Sequence, residues 1–290
     1  MGRHKEITIT IEEVFEKAEA GDIFFQNALG VFYATADAGL EQDFQKAIEW
    51  YTKAAMAGCA TSQYNLGIMY ARAEGVEQNY EEAFKWYMKA AEQKFGLAQS
   101  RIGKMYKYGQ YVERNPEEAF KWHKKAAKLK VAEAQLEMGI SYEYGLDGVV
   151  KQSYAKAFRW YSKAVKQGYP EAQYHLGRMY ALGRFVFKNY RKAFELFEKA
   201  AEQGIVEAQV DLGYMYKDGV GTSENPQKAF EYISLAAEQD DIEALSMLGD
   251  MYNEGYYVER DVREAQKLFD RVYQLEKVNK QKTLSSTKET

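Results

Sequence analysis

A hydrophobic pattern of an aliphatic residue, glycine, two further residues and tyrosine recurs along the whole chain. The seven copies read LGVFY, LGIMY, IGKMY, MGISY, LGRMY, LGYMY and LGDMY. Their glycines follow one another at intervals of 36 to 38 residues and are Gly30, Gly67, Gly103, Gly139, Gly177, Gly213 and Gly249. A nearly constant period of this length is typical of repeat proteins, so we predict seven copies of one structural unit.

A second apolar block follows each glycine motif. In the first six copies it reads AIEWYTKAA, AFKWYMKAA, AFKWHKKAA, AFRWYSKAV, AFELFEKAA and AFEYISLAA. Its apolar residues fall at positions i, i+1, i+4, i+7 and i+8, which share one face of a helix. The seventh block, Ala265 to Leu275, is looser, as expected of a terminal capping helix. Each unit is therefore predicted to be a first helix with the glycine motif and a second helix with this block.

The residues between the two blocks favour helix ends. Good N-cap residues lie about twelve positions after the motif glycine and are Asp43, Asn79, Asn115, Ser153, Asn189, Asn225 and Asp261. Acidic residues at the capping-box position are Glu82, Glu118 and Glu264. Glycines suited to end the first helices in a left-handed turn are Gly109, Gly145, Gly183, Gly219 and Gly255.

The motif glycines need a structural reason, because a glycine inside a helix costs about 1 kcal/mol relative to alanine. Glycine and paired alanines such as Ala90 and Ala91 remove side-chain volume where helices cross, and large aromatic residues fill the remaining space. The predicted fold is all-α, an α-solenoid of seven helix-turn-helix repeats of about 36 residues.

The periodicity also sets the expected domain organisation. We predict a polar N-terminal segment at residues 1–10, one solenoid at 11–278 and a disordered tail at 279–290. Residues Ile11 to Ala20 look like the second half of a repeat and are predicted to cap the solenoid. The predicted repeat units are about 22–58, 59–94, 95–130, 131–168, 169–204, 205–240 and 241–278.

Composition limits the function and the location. The 43 acidic and 39 basic residues give a net charge of −4, which argues against general nucleic-acid binding. The single cysteine, Cys59, cannot form an internal disulfide. Glu6, Glu12 and Glu13 interrupt the apolar run that a signal peptide needs, and no 18-residue apolar run is present. We expect a monomeric cytoplasmic protein without a membrane span, a metal or another cofactor.

The assembled motif resembles the Sel-one-like repeat (SLR) family. It runs Ala-x-x-x-Leu-Gly-x-x-Tyr, as in Ala172 to Tyr180, and continues through a capped second helix, as in Asn79 to Ala91. The resemblance covers roughly residues 11 to 278. It implies a tetratricopeptide-like right-handed superhelix that acts as a non-enzymatic adaptor or scaffold for protein complexes. Secreted relatives carry regular cysteine pairs, and their absence here favours a reducing compartment.

The positions beside the packing residues of the first helices vary from copy to copy. In a stacked array of hairpins these positions face the concave side, so we predict that they bind a protein or peptide. Arg101, Lys104 and Lys107 are expected to form a basic stripe for an acidic segment. The alternative is that some of these side chains pack between neighbouring first helices. The predicted groove residues are Tyr64, Ile68, Arg101, Lys104, Lys107, Leu136, Ile140, Tyr174, His175, Arg178, Val210, Tyr214 and Asp250.

Other functions have less support in the residues. A dedicated inhibitor or immunity protein for one enzyme or toxin would use the same kind of surface, so this alternative stays open. No HExxH, CxxC, GxSxG or Walker motif is present, and the loop from Gly219 to Thr222 follows no strand. We interpret Cys59 as a small buried residue, and His175 as either a recognition residue or a solvated surface histidine. The sequence thus predicts a non-enzymatic interaction scaffold.

Overall fold

The computed structural model describes residues 9–146 and 148–286. Within these ranges the chain forms fifteen helices and no strand, which confirms the all-α prediction. A β-bridge between Leu146 and Val150 closes the loop of the fourth repeat. The helices are α1 Ile11–Glu19, α2 Ile23–Thr35, α3 Phe44–Met56, α4 Ala60–Arg72, α5 Tyr80–Glu92, α6 Gly96–Tyr108, α7 Pro116–Lys128, α8 Ala132–Tyr144, α9 Tyr154–Val165, α10 Pro170–Leu182, α11 Tyr190–Ala201, α12 Val206–Asp218, α13 Pro226–Ala237, α14 Ile242–Glu254 and α15 Val262–Ser286.

The even-numbered helices α2 to α14 are the first helices of the seven repeats, and the odd-numbered helices α3 to α15 are the second helices. Helix α1 precedes them as the predicted N-terminal cap and packs against α2. A reciprocal capping box starts α1, in which the Thr10 hydroxyl accepts from the Glu13 N–H and the Thr10 N–H donates to the Glu13 carboxylate. The two-helix repeat is therefore confirmed.

The chain divides into two compact units. The first consists of residues 1–141 and 145–151, and the second of residues 142–144 and 152–290. In the first unit each hairpin packs against the next one along the chain, for example α3 against α4 and α5 against α6. The second unit repeats this order from α9 to α15.

Every second helix begins at its predicted N-cap residue, and the side-chain oxygen of each cap accepts a backbone N–H of the first turn. The cap residue's own N–H donates to the carbonyl of the motif tyrosine at 2.7–3.0 Å in all seven repeats. Because this N–H is already used, Glu82, Glu118 and Glu264 do not complete capping boxes, contrary to the prediction. Each of them pairs instead with a lysine three residues later.

The first helices end largely as predicted. Four of the five predicted glycines adopt the left-handed conformation at the C-cap, and Ala36 and Ala73 take that role in the first two repeats. Gly145 differs, with φ 79° and ψ 173°. At Gly145 the backbone is extended instead of left-handed helical. The longer loop of the fourth repeat then leads to the bridge between Leu146 and Val150.

The motif glycines make room for a large side chain of the second helix in the same repeat. A Cβ on Gly177 would lie 2.6 Å from the Phe197 ring, and one on Gly249 would lie 2.6 Å from the Phe269 ring. Equivalent contacts occur at Gly30, Gly67, Gly103 and Gly213. Real Cβ atoms do not approach other atoms so closely, so alanine would force the two helices apart. The steric explanation of the motif is confirmed at these six positions.

A buried glutamine four residues before the motif glycine links successive repeats. Its side-chain N–H donates to an alanine carbonyl at the end of the preceding second helix, as Gln63 does to Ala55 at 3.0 Å. The same bond is made by Gln26, Gln99, Gln135 and Gln209. The sequence interpretation missed this connection, although glutamine at that position recurs in six of the seven copies.

The C-terminal tail departs from the prediction. Helix α15 continues to Ser286, so residues 279–286 are helical rather than disordered. This stretch contains neither glycine nor proline and extends an existing helix, which adds a hydrogen bond for each residue fixed. Residues 287–290 and most of the predicted N-terminal segment lie outside the described residues.

Candidate functional site

The candidate site is the surface that the first helices form within each unit, here called the first-helix face. Side chains of neighbouring first helices contact one another directly on this face. The Ser62 hydroxyl donates to the Asn27 side chain at 2.8 Å, and the Tyr214 hydroxyl donates to Glu243 at 3.0 Å. Groups from successive repeats therefore lie next to one another on this surface.

Three predicted groove residues are buried within the chain itself. Tyr64, Leu136 and Val210 are each more than 90% buried. The Tyr64 ring packs 5.8 Å from the Tyr87 ring and 5.3 Å from the Phe95 ring, measured between centroids. These side chains have too little free surface to line a groove, so the packing alternative holds for them. They are large and apolar enough to fill the space between adjacent repeats.

The expected basic stripe is neutralised by carboxylates from helix α8. Glu133 accepts hydrogen bonds from Lys104 and Ser100, and both oxygens of Glu137 accept from Lys107 at 2.9 and 2.8 Å. Lys104 and Lys107 are therefore ion-paired within the chain, which argues against the expected basic stripe for an acidic segment. Both pairings join residues about 30 positions apart, so they depend on how consecutive repeats stack.

An open cleft of about 170 Å³ lies on the first-helix face between the second and third repeats. Ile68, Met105 and the Tyr87 ring supply its apolar wall, and Arg72 and Arg101 are among its polar lining residues. Arg72 reaches Glu74 only at 3.5 Å and stays largely exposed. This cleft combines an apolar wall with two guanidinium groups. Ile68 and Arg101 are residues that the sequence placed in the groove, and Arg72 is not.

Several of the remaining predicted residues are polar and lie in the second unit. Arg178 lies 5.8 Å from the centre of the Tyr174 ring, and the Tyr174 hydroxyl is beside Asp211. Burial raises the pKa of the Asp211 carboxyl to about 6. Asp250 is exposed. In the first unit, Ile140 is half-buried.

A buried carboxylate, Glu143, lies at the centre of a polar cluster in the second unit. Its side chain is 1% exposed and accepts a hydrogen bond from the Tyr161 hydroxyl at 2.6 Å and one from Arg184 at 2.7 Å. His175 Nδ1 lies 3.5 Å from the same carboxylate, and the His175 ring stacks on Tyr161. His175 is thus a partner of Glu143, a role that the sequence interpretation did not consider.

The protonation of Glu143 follows from these contacts. Burial acts to raise the pKa of the carboxyl, but His175, Tyr161 and Arg184 outweigh it and lower that pKa to about 2. The sequence contains a signal for this unusual carboxylate. Glu143 directly follows the motif tyrosine of its repeat, and three other repeats have alanine at that position, as at Ala71. The cluster joins Glu143 to side chains of α9, of α10 and of the loop after α10.

His123 occupies the same position in the third repeat as Tyr161 in the fourth. Its ring lies against Gly103, and the buried Nε2 atom has no hydrogen-bond partner. Burial lowers the pKa of this imidazole, which favours its neutral form. His123 is therefore a polar residue in a packing position.

Cys59 and the side chains that can bind metals are further candidate parts of a site. Cys59 is half-buried at the N-cap of α4. Among residues 9–146 and 148–286, no three His, Cys, Asp or Glu side chains are grouped to hold a metal ion. In the same ranges, every helix lacks the length or the apolar character that crossing a bilayer requires.

Solved structures with the same fold are similar over most of the chain. A protective antigen of uropathogenic Escherichia coli with an SLR fold is 31% identical with a TM-score of 0.77, covering 92% of this chain and 57% of that protein. A Sel1 repeat protein from Oxalobacter formigenes is 27% identical with a TM-score of 0.75, covering 85% and 96% of the two chains. The immunity protein PA5088 from Pseudomonas aeruginosa is 20% identical with a TM-score of 0.51, covering 81% and 88%, a likeness of fold alone.

No curated protein sequence matches the chain. A family model described as "Sel1 repeat" matches it seven times, and each match starts one or two residues after the predicted repeat boundary. The matched segments are residues 24–59, 60–95, 96–131, 132–169, 170–205, 206–241 and 242–274. With seven tandem matches and hairpins closed around the motif glycines, the chain belongs to the Sel1 repeat family.

Proposed function

We propose that the protein binds a peptide or a domain of another protein on its first-helix face. Sel1 repeat proteins generally mediate protein–protein interaction. The observation that carries the proposal here is the cleft between the second and third repeats. Its apolar wall accepts one large side chain, and Arg72 and Arg101 fix a polar or acidic neighbour of that side chain.

The arrangement favours a binding role over a catalytic one. The polar groups of the first-helix face are tied to one another, as Lys104 is to Glu133 and Tyr214 to Glu243. Such fixed groups lose little side-chain entropy when a partner docks, which favours affinity and specificity. The apolar wall beside them supplies the contact area that an interface needs.

The test compares two matched double variants in a pull-down from source-cell lysate with mass spectrometry. The cleft variant carries Ile68→Ser and Arg101→Gln. The control variant carries Met88→Ser and Lys85→Gln on α5, so it also loses one half-buried apolar side chain and one cation. We expect a partner that the wild type and the control recover and the cleft variant loses, and at least a tenfold weaker affinity of the cleft variant for that purified partner.

Equal recovery by the cleft and control variants, with both helical by circular dichroism, would refute this location of the site. A recovered partner that is an enzyme and loses activity in a one-to-one complex would instead identify the protein as an inhibitor. The same experiment therefore separates a scaffold from an inhibitor.

A further inference from the structure

Basic residues are concentrated in the fourth and fifth repeats. Residues 152–194 contain nine Lys and Arg residues and one carboxylate, Glu171, in a chain with 39 basic and 43 acidic residues. Seven of the nine lie on the second helices α9 and α11 or immediately beside them. We call these seven the basic face: Lys156, Arg159, Lys163, Lys166, Lys188, Arg191 and Lys192.

On two second helices of earlier repeats a cation pairs with the carboxylates of the first turn, and most of the basic face lacks such a pair. Among the described residues, Arg191 is the one member of the basic face that meets a carboxylate, Glu195 at 3.5 Å. Lys85 of α5 pairs with Glu81 and Glu82 of the first turn, and Lys121 pairs in the same way on α7. At the equivalent place on α9, Arg159 has Ala155 and Lys156 in the first turn. Among the described residues, no carboxylate lies within ion-pair distance of Arg159 or Lys156.

Two of these cations occupy positions that the helix dipole disfavours. Lys156 and Lys192 lie in the first turns of α9 and α11, where the positive end of the helix dipole favours acidic residues. An anion bound there would contact the lysines and the helix N-termini together. The rings of the motif tyrosines contact both lysines, Tyr142 at 5.0 Å and Tyr180 at 5.3 Å, but among the described residues no carboxylate offsets their charge.

Aromatic side chains connect the two basic helices. Phe158 of α9 packs 5.9 Å from Tyr180 and 5.5 Å from Phe185, and Lys192 lies 5.3 Å from the centre of the Tyr180 ring. Two open clefts result. Tyr142, Phe158 and Trp160 line the first together with basic-face residues of α9, and Tyr180, Phe185 and Phe187 line the second together with Lys192.

Phe187 marks the edge of the second cleft and is 98% exposed. The corresponding loop residues of the second, third, sixth and seventh repeats are Glu77, Glu113, Ser223 and Glu259, all polar. Burying this ring against a partner would gain the full hydrophobic contribution of a phenylalanine. A fully exposed aromatic ring beside Lys188 therefore adds an apolar anchor to the basic face.

From these observations we propose that the basic face is a second docking surface, separate from the first-helix face, and binds an acidic protein segment with large apolar side chains between its carboxylates. The charge of the face matches such a segment, and the two clefts accept its apolar side chains. A protein segment suits the face better than a lipid bilayer, because the aromatic side chains of the first cleft, Tyr142, Phe158 and Trp160, are half-buried and a flat surface does not enter that cleft.

The test uses the full-length protein and a fluorescein-labelled synthetic peptide rich in glutamate that carries two tryptophans. A polyglutamate peptide of equal length serves as the comparison probe. The basic-face variant is Lys156→Gln, Arg159→Gln, Lys188→Gln and Lys192→Gln. The control variant, Lys85→Gln, Lys89→Gln, Lys121→Gln and Lys125→Gln, removes the same charge from α5 and α7.

Fluorescence anisotropy should show that the wild type and the control bind the tryptophan peptide with affinities within twofold. The basic-face variant should bind it at least tenfold more weakly, and the affinity of the wild type should fall as salt is raised. Phe187→Ala should weaken the tryptophan peptide severalfold and leave polyglutamate binding unchanged. Phe187 is exposed, so this variant keeps its fold.

Three results would overturn the proposal. The first is an equal loss of affinity in the basic-face and control variants, which would make the effect one of net charge alone. The second is no preference for the tryptophan peptide over polyglutamate. In the third, the wild type binds neither peptide but binds a single-stranded RNA or phosphatidylserine vesicles, and the basic-face variant loses that binding. This result would assign the face to nucleic acid or lipid.

Discussion

The hydrogen bond between Tyr161 and Glu143 allows a quantitative test of the polar cluster. Both side chains are almost completely buried, and the bond is 2.6 Å long to an ionised acceptor. A hydrogen bond to a charged group contributes about 1.5–3 kcal/mol to stability. Tyr161→Phe keeps the ring and removes only the donor, so we expect the free energy of unfolding to fall by about 2 kcal/mol.

The second repeat supplies a matched control. Tyr87 occupies the equivalent position against its motif glycine, Gly67, but among the described residues its hydroxyl donates to no carboxylate. Tyr87→Phe should therefore change the free energy of unfolding by about 0.5 kcal/mol or less. The assay is urea unfolding at pH 7 followed by circular dichroism. Equal losses in the two variants, or no loss in Tyr161→Phe, would refute the assigned role of the carboxylate.

Two further predictions concern ionisable groups. Folding lowers the pKa of the Glu143 carboxyl from 4.5 to about 2. Ionised Glu143 therefore contributes about 3 kcal/mol to the free energy of unfolding. This contribution is complete above pH 4.5 and is lost as the pH falls toward 2. Unfolding measured across this range should show the stability advantage of the wild type over Glu143→Gln shrinking, and a constant difference would contradict the lowered pKa. His123→Phe should raise the free energy of unfolding by about 1 kcal/mol, because it removes an unpartnered buried nitrogen and Phe197 already fills the same position in the fifth repeat. Thermal and urea unfolding at pH 7 would check this, and a less stable variant would show that His123 has a partner.

The fold followed from local rules that act within one repeat. The motif glycine, the N-cap and the large side chain that covers the glycine all lie within about 22 positions, so spacing alone predicts the hairpin. Only details failed, at the capping boxes, at Gly145 and in the C-terminal tail. The capping box at Glu82, for example, is absent because the Asn79 N–H is bonded to the Tyr70 carbonyl.

The candidate site was less predictable because its charges pair between repeats. Lys107 meets Glu137, and Arg184 meets Glu143, over 30 to 41 positions of sequence. Whether such groups meet depends on the offset between stacked hairpins, which no periodicity encodes. Burial of Tyr64 follows from the same offset, since its ring fills the gap toward Phe95 of the next repeat.

The backbone bond from each N-cap residue to the motif tyrosine has a consequence for how the chain can change. It closes the turn between the two helices without any side chain, so the residues inside the turn can be replaced or lengthened while the hairpin stays shut. The fourth repeat is an example, because its turn is longer and Ser153 still bonds the Tyr142 carbonyl at 2.7 Å. These turns are therefore suitable places to graft a foreign binding loop or an epitope tag onto an unaltered helical framework.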